Sequence, residues 1–300
     1  MLEFIQHIIN GLSTGSIYAL IALGYTMVFG VLQLINFAHS DVFMLGAFIS
    51  FYFSNYFRLA SHPSAFALVA ALLSAMVGCA AIGYIIERFA YRPLRGAPRI
   101  NLLITAIGVS LFLEYSGQQV FGSSPQFYPQ IFKPEINLGV GSLSINPLQV
   151  VVLSIAIVLM LILQFVIFKT RVGRAMRAVS FNHDLASLMG IPTNKIISLT
   201  FMLGSALAGA AGVLVGLIYP KIDPLMGVVL GLKCFVSAVL GGIGSILGAV
   251  VGSITLGISE EFLVGYGNPS YRDALAFGIL IVILLFKPSG LFGENRIEKV

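Results

Sequence analysis

Eight long apolar segments follow one another along this chain, and they limit its fold more than any other feature. Most reach the roughly 20 residues that a helix needs to cross a bilayer. Only 10% of the residues are charged, against about 25% in soluble chains. Because lipid offers no hydrogen-bond partners, backbone groups must be paired within each helix. We therefore predict an all-α, polytopic helical membrane bundle, with residues 1–300 forming a single domain. The segments are Ile8–Leu34, Val42–Phe57, Ala65–Ile86, Leu102–Phe121, Leu148–Phe168, Ile196–Tyr219, Gly227–Leu263 and Ala274–Phe286.

The segment Gly227–Leu263 is too long for one crossing. Its glycines near Gly241–Ser245 predict two short spans or a re-entrant pair, so we expect about eight or nine membrane elements.

A polar interruption, INFAHSDVFMLG (Ile35–Gly46), separates the first two segments. It contains Asn36, His39, Ser40 and Asp41, and a carboxylate at the centre of a membrane helix costs about 2.5–3.5 kcal/mol. Two interpretations stay open: a broken helix that lines a substrate path, or a polar turn that reaches water. If the helix is broken to line a substrate path, we expect unwound backbone near His39 that is accessible to water. On a continuous helix, His39 and Asp41 would not face the same path.

Other charged residues lie inside or at the ends of apolar segments. Glu114 is about six residues, roughly 9 Å, from the outer end of its segment, so we expect it near the interface and keep it as a candidate path residue. Lys233 is expected to extend its side chain to the membrane surface. Glu260 and Glu261 are expected to be solvated.

Small residues recur every four positions in two places, and each series forms one face of a helix. Such faces allow close helix packing in membranes. The first series is Gly204, Ala208, Gly212 and Gly216, and the second is Gly244, Gly248 and Gly252.

Basic residues give the orientation. Most of the 17 Lys and Arg residues fall in three clusters, within 88–99, 169–195 and 287–299, and such clusters mark cytoplasmic loops. We interpret the net charge of +5 as a sign of topology and not of nucleic-acid binding. The C-terminus is then cytoplasmic in a multi-pass protein of the inner (plasma) membrane. The side of the N-terminus stays open, and the first segment, which has no preceding basic residues, is expected to be retained.

The cytoplasmic loop at about 169–196 predicts a short helix from His183 to Met189, capped by Asn182 and ended by Gly190. Its apolar face either docks into a groove of another protein, or packs on its own bundle or the lipid headgroups. The face consists of Leu185, Leu188 and Met189. The outer loop at about 122–147 is a second docking candidate, because it is long for a connector.

The sequence contains no G-x-x-x-x-G-K-[ST] or H-E-x-x-H motif, and its single G-x-S-x-G match, GLSTG at Gly11–Gly15, lies inside the first apolar segment and not at a strand-to-helix turn. Cys79 and Cys234 lie in separate apolar segments and are expected to be buried thiols. We therefore expect no catalytic residues, no metal site and no cofactor in this chain.

Several blocks resemble the LivH-type permeases of bacterial branched-chain amino acid ABC importers. They are NGLSTGSIYALIALGYTMVFG, INFAHSDVFMLGAF, ERFAYRPLRG, TRVGRAMRA, ASLMGI, LGGIGSILGA and KPSGLFG, in the same order. The chain departs from the usual N-F-A-H-G-E of that family at Ser40 and Asp41. The resemblance implies a homologous second permease, two cytoplasmic ATPase subunits that bind ATP-Mg, and an external solute-binding protein. It also implies that the loop Thr170–Ile191 couples to the ATPase, through Arg174, Asp184, Leu185, Leu188, Met189 and Gly190.

We therefore expect a permease subunit of an ATP-driven importer of branched-chain or other hydrophobic or neutral amino acids. A urea or short-amide permease is the alternative within the class. Outside it, a proton-coupled secondary transporter would use His39 and Asp41 as its titrating pair.

The topology predicts how single cysteines will react with a membrane-impermeant thiol reagent. Cysteines at Arg95 and Arg174 should be labelled only from the cytoplasmic side, and a cysteine at Lys133 only from outside. Labelling at Arg174 from outside would reverse the orientation.

Overall fold

The computed structural model describes residues 2–132, 138–140 and 143–293. Lys133, which the labelling prediction uses, lies outside these residues, as do the basic residues of the extreme C-terminus, Arg296 and Lys299. The helices are α1 Leu2–Leu32, α2 His39–Tyr56, α3 Ala65–Ile86, α4 Arg99–Phe121, α5 Pro147–Lys169, α6 Arg171–Phe181, α7 His183–Leu188, α8 Thr193–Ile218, α9 Met226–Gly241, α10 Ile246–Tyr266 and α11 Arg272–Phe286.

The helical membrane bundle is confirmed. Seven of the described helices are long and apolar enough to cross a membrane, and α9 is a shorter apolar helix. The segment Gly227–Leu263 divides into α9 and α10 at a turn between Gly241 and Ile246, as predicted. Helix α2 is less apolar than the seven spans, because His39, Ser40 and Asp41 form its first turn.

The helix α6 was not predicted. Thr170 caps it, since the Thr170 side chain accepts a hydrogen bond from the Gly173 N–H over 3.1 Å. Gly173, Met176 and Val179 are buried at a spacing of three residues, so α6 turns one face to the bundle. The loop predicted at 169–196 is therefore mostly helical.

Basic residues gather at one end of the bundle, which we call the basic end; it includes Arg92, Arg95, Arg174, Lys195 and Lys287. Helix α1 also ends at the basic end, as its contact with α7 shows: a ring nitrogen of His183 lies 2.8 Å from the carbonyl oxygen of Val31. Arg95 pairs with Glu87 and donates to Asn194. Arg174 is exposed and is therefore the cleaner position for labelling.

Helix α2 begins inside the bundle. Residues 33–38 are not helical, and Gln33 has a φ of +51°. The His39 ring then lies against Gly24 of α1 and Gly204 near the middle of α8. The chain thus leaves the basic end and returns to mid-depth before α2 starts.

Four short strands lie in the segments that connect the helices, with β1 Gln126–Phe127, β2 Leu138–Val140, β3 Leu143–Ile145 and β4 Lys221–Ile222. Strands β1 and β4 pair antiparallel, and so do β2 and β3. Next to β1, the Tyr128 hydroxyl donates to the Ser50 hydroxyl over 2.9 Å and its ring covers Gly216. The outer loop is therefore attached to α2 and α8 at its first strand.

Glycines on α8 and α10 lie at close helix contacts. Gly204 faces Gly24 over 3.4 Å, measured from an ideal Cβ built on Gly204 to the Gly24 Cα, and Gly212 faces the backbone of α2. Ala208 is buried. Gly248 and Gly252 face the backbone of α9. Gly244 is the exception: it lies in the turn before α10 with a φ of +97°, and a Cβ there would contact nothing. Its assignment to the packing face was wrong because α10 begins two residues later.

We predict that Gly212→Ala destabilises the bundle. A Cβ on Gly212 would lie 2.5 Å from the Phe43 carbonyl oxygen, and overpacking of this kind costs about 1–3 kcal/mol. The melting temperature of the detergent-solubilised protein should fall. The control is Gly108→Ala in α4, where a Cβ has open space and alanine favours the helix. Equal melting temperatures for the two variants would contradict the packing argument.

Candidate functional site

The second half of the break before α2 is held by hydrogen bonds. The Tyr91 hydroxyl donates to Asn36 Oδ1 over 2.5 Å, and Ser40 Oγ donates to the carbonyl oxygen of Phe37 over 2.9 Å. The His39 N–H donates to the Asn36 carbonyl over 3.1 Å. Tyr91 ends a π-helical turn, Glu87–Tyr91, that continues α3. The break is therefore a fixed connection between α1, α2 and the end of α3.

His39 and Asp41 point to different parts of the bundle. The His39 ring packs edge-on to Tyr25, with 4.9 Å between the ring centroids. Asp41 instead accepts a hydrogen bond from the Ser110 hydroxyl of α4 over 2.5 Å. Both residues are 1% exposed and helical. The predicted helix break near His39 is present and ends at Ala38. The expected access to water and the path shared by His39 and Asp41 were wrong, because both side chains are buried and the helix separates them.

Asp41 lies next to a second carboxylate. Glu114 follows Ser110 by four residues on α4, so both side chains lie on one helix face. Glu114 is half-buried. Asp41 Oδ1 has no hydrogen-bond partner among the described residues.

A cavity of about 160 Å³ lies between α1, α2, α4 and α9. Two of the predicted residues, Ser40 and Glu114, line it, whereas Asn36, His39 and Asp41 do not. The remaining polar lining comes from Tyr25 and Ser110. The apolar lining residues are Phe37, Ile107, Leu111, Val228, Leu232 and Phe235. The cavity is thus mainly apolar, with its polar groups on α1, α2 and α4.

A buried ion cluster joins α9, α10 and α11. Lys233 Nζ lies 3.1 Å from Glu260 Oε1 and 2.6 Å from Asp273 Oδ1. Arg272 contacts Glu260 over 2.7 Å and Glu261 over 3.0 Å. The Glu260 side chain is 0% exposed. The expectation that Glu260 and Glu261 are solvated and that Lys233 extends to the membrane surface was wrong, because these three side chains are buried and paired. Asp273, at 58% exposure, is the member of the cluster at the surface.

No local sequence pattern marks this cluster, since its members lie on three separate helices. The Tyr18 hydroxyl of α1 completes it by donating to Glu260 Oε2 over 2.9 Å. A second cavity, of about 180 Å³, lies beside Tyr18, Lys233 and Arg272.

At the basic end, α6 and α7 form a platform that we define as residues 171–190. The predicted helix is confirmed as α7, and Asn182 caps it by accepting from the N–H groups of Asp184 and Leu185, each over 2.9 Å. Gly190 follows with a φ of +80°. Ala186 is buried against the bundle.

The apolar face of the platform points away from the bundle. Leu185, Leu188 and Met189 are 55%, 82% and 83% exposed. Phe181, at the end of α6, is exposed beside them, and Arg174 and Asp184 are also exposed. Within the described residues this face therefore does not pack on its own bundle.

Comparison with known proteins shows that residues 7–284 match the family described as "Branched-chain amino acid transport system / permease component". The chain belongs to this family.

Three relatives match the permease over nearly its whole length. It is 42% identical to the high-affinity branched-chain amino acid transport system permease protein LivH of Salmonella typhimurium over 303 residues, 100% of this chain and 98% of the relative. The LivH protein of Escherichia coli K12 matches with the same identity and coverage. BraD of Pseudomonas aeruginosa is 41% identical, over 99% of this chain and 98% of its own length.

We predict that Glu260→Gln strongly destabilises the permease. The change leaves Lys233 paired only with Asp273 and Arg272 paired only with Glu261, and breaking a buried ion pair costs about 3–5 kcal/mol. The melting temperature in detergent should fall well below that of Glu3→Gln, a matched change at an exposed position.

A double-mutant cycle tests the pairing itself. Lys233→Met combined with Glu260→Gln should cost less than the sum of the single changes, because neither charge is then left without its partner. Additive losses would contradict direct pairing.

Proposed function

We propose that this permease is the membrane subunit of an ATP-driven importer of branched-chain or other hydrophobic or neutral amino acids. The relatives that match over nearly their whole length are named as permeases of branched-chain amino acid transport systems. The chain itself has no P-loop, so ATP hydrolysis takes place on separate subunits. A homologous second permease, two cytoplasmic ATPases and an external solute-binding protein complete the assembly.

The exposed platform carries the proposal. An apolar face in water is stable only when something covers it. Leu188 and Met189 stand on a helix that is capped, anchored through Ala186 and fixed to α1 by His183, so the face is rigid. Helix-in-groove docking suits such a face, and the groove belongs to an ATPase subunit. Arg174, Asp184 and Gly190 lie at its border.

The orientation follows from the basic end, which we place in the cytoplasm. The C-terminus then lies in the cytoplasm and the start of α1 outside. The solute-binding protein meets the opposite end, where β1 and β4 connect the outer loop to the bundle.

The cavity between α1, α2, α4 and α9 is the proposed part of the substrate path within this subunit. Its mouth includes the exposed apolar residues Leu111, Val228 and Leu232, which the second permease covers. The apolar lining suits an aliphatic side chain better than urea. Asn36 and His39 support the path from behind by fixing the start of α2.

A proton relay through His39 and Asp41 finds no support in the geometry, because the two side chains face different helices. Uptake that persists when the proton gradient is collapsed at constant ATP is expected. Uptake lost with the gradient would favour the secondary transporter.

We predict that Leu188→Asp releases the ATPase from the membrane subunits. The variant places a charge in an apolar contact, whose desolvation has no compensating partner. Co-purified ATPase and ATP-driven amino acid uptake should both fall at least tenfold, while the bundle still inserts into the membrane.

Two variants control this experiment. Leu188→Met keeps the apolar contact and should keep uptake. Ser270→Asp adds the same charge at an exposed position near the opposite end and should keep the ATPase bound. Normal co-purification and uptake with Leu188→Asp would refute the docking site.

A further inference from the structure

We propose that the cavity between α1, α2, α4 and α9 recognises its ligand through an ammonium group, which binds to the carboxylate of Glu114. The inference rests on the proposed function, since it specifies which part of an amino acid the permease contacts. The ligand class is a primary ammonium on a short branched aliphatic chain.

The charges around the cavity have one sign. Glu114 lines it, and Asp41 lies directly behind Ser110. No lysine or arginine lines this cavity. Within residues 2–132, 138–140 and 143–293, the ion pairs involve other carboxylates, and neither Asp41 nor Glu114 takes part in one. The site thus attracts a cation and disfavours a second anion.

Hydrogen-bond acceptors outnumber donors on the α4 side of the cavity. Ser110 gives its one proton to Asp41 Oδ2, so its oxygen faces the cavity side as an acceptor. Asp41 Oδ1 has no donor in the described structure; it does not line the cavity, and its carboxylate adds negative charge behind Ser110. An ammonium group brings three donors and no acceptor, and it therefore complements this set of oxygens.

The apolar lining of the cavity fits the aliphatic chain of the ligand. Phe37, Ile107 and Phe235 surround the polar side, and Phe37 and Phe235 pack on each other with 6.3 Å between their centroids. The cavity volume of about 160 Å³ limits the ligand to a small molecule. Burial of a branched aliphatic chain then supplies affinity, and the ammonium fixes its orientation.

The test separates the two charged ends of leucine. The permease, assembled with its partner permease and ATPases in nanodiscs without the binding protein, is heated with leucine, 3-methylbutylamine or 4-methylpentanoate. Leucine and the amine should raise the melting temperature, because binding stabilises the folded state. The carboxylate, which lacks the ammonium, should not.

Glu114→Gln should raise the concentration for a half-maximal shift about tenfold or more for both amines. Glu3→Gln removes the same charge at an exposed position and should leave the shifts unchanged. Glu114 is half-buried and the change is isosteric, and the melting temperature without ligand checks that the variant folds. Equal shifts with the amine and the carboxylate, full shifts in Glu114→Gln, or no shift with any compound in the wild type would each overturn the ammonium site.

Uptake measured in parallel distinguishes this inference from the proposed function. ATP-driven leucine uptake without an amine-specific shift leaves the importer intact and refutes the ammonium site. A shift that depends on Glu114, in an assembly that imports no amino acid, supports the ammonium site and refutes the importer.

Discussion

Direct contact between helix backbones at glycines is the constraint on which the rest of this structure depends. Lipid gives no hydrophobic drive for helices to associate, so close packing and polar contacts must hold them together. Gly11 and Gly15 of α1 approach α10 so closely that a Cβ on Gly11 would lie 2.6 Å from the Ile258 Cα. Gly24 and Gly204 then leave between α1 and α8 the space that the His39 ring occupies. Without these small residues, α2 could not begin at mid-depth.

The start of α2 in turn determines the position of the polar groups. Because the first helical residue is His39, the turn of the helix directs this side chain to α1 and α8 and the Asp41 side chain to α4. The hydroxyl of Ser110 receives Asp41, and Glu114 is placed one turn further along. A short polar sequence thus produces two separate environments: a packed histidine and an acidic wall beside an apolar cavity.

The sequence predicts the features that depend on local chemistry. The division of 227–263 follows from its glycines, and α7 follows from Asn182 and Gly190. Features that depend on three-dimensional neighbours were not predictable. Lys233 and Glu260 are 27 residues apart in the printed sequence, and nothing near either one signals its partner. The side-chain directions at His39 and Asp41 depend on whether α2 begins before or after these residues, and the local sequence does not specify that position.

The ion cluster also has a consequence for how the chain enters the membrane. Helix α9 has only 16 residues and carries Lys233, whose charge costs about 2.5–3.5 kcal/mol at the centre of an isolated membrane helix. Its compensating carboxylates, Glu260 and Asp273, are synthesised later, on α10 and α11. The helices α9, α10 and α11 therefore become stable in lipid together and not one at a time. Stable insertion of α9 is completed only when α10 and α11, which follow it in the chain, have also entered the membrane.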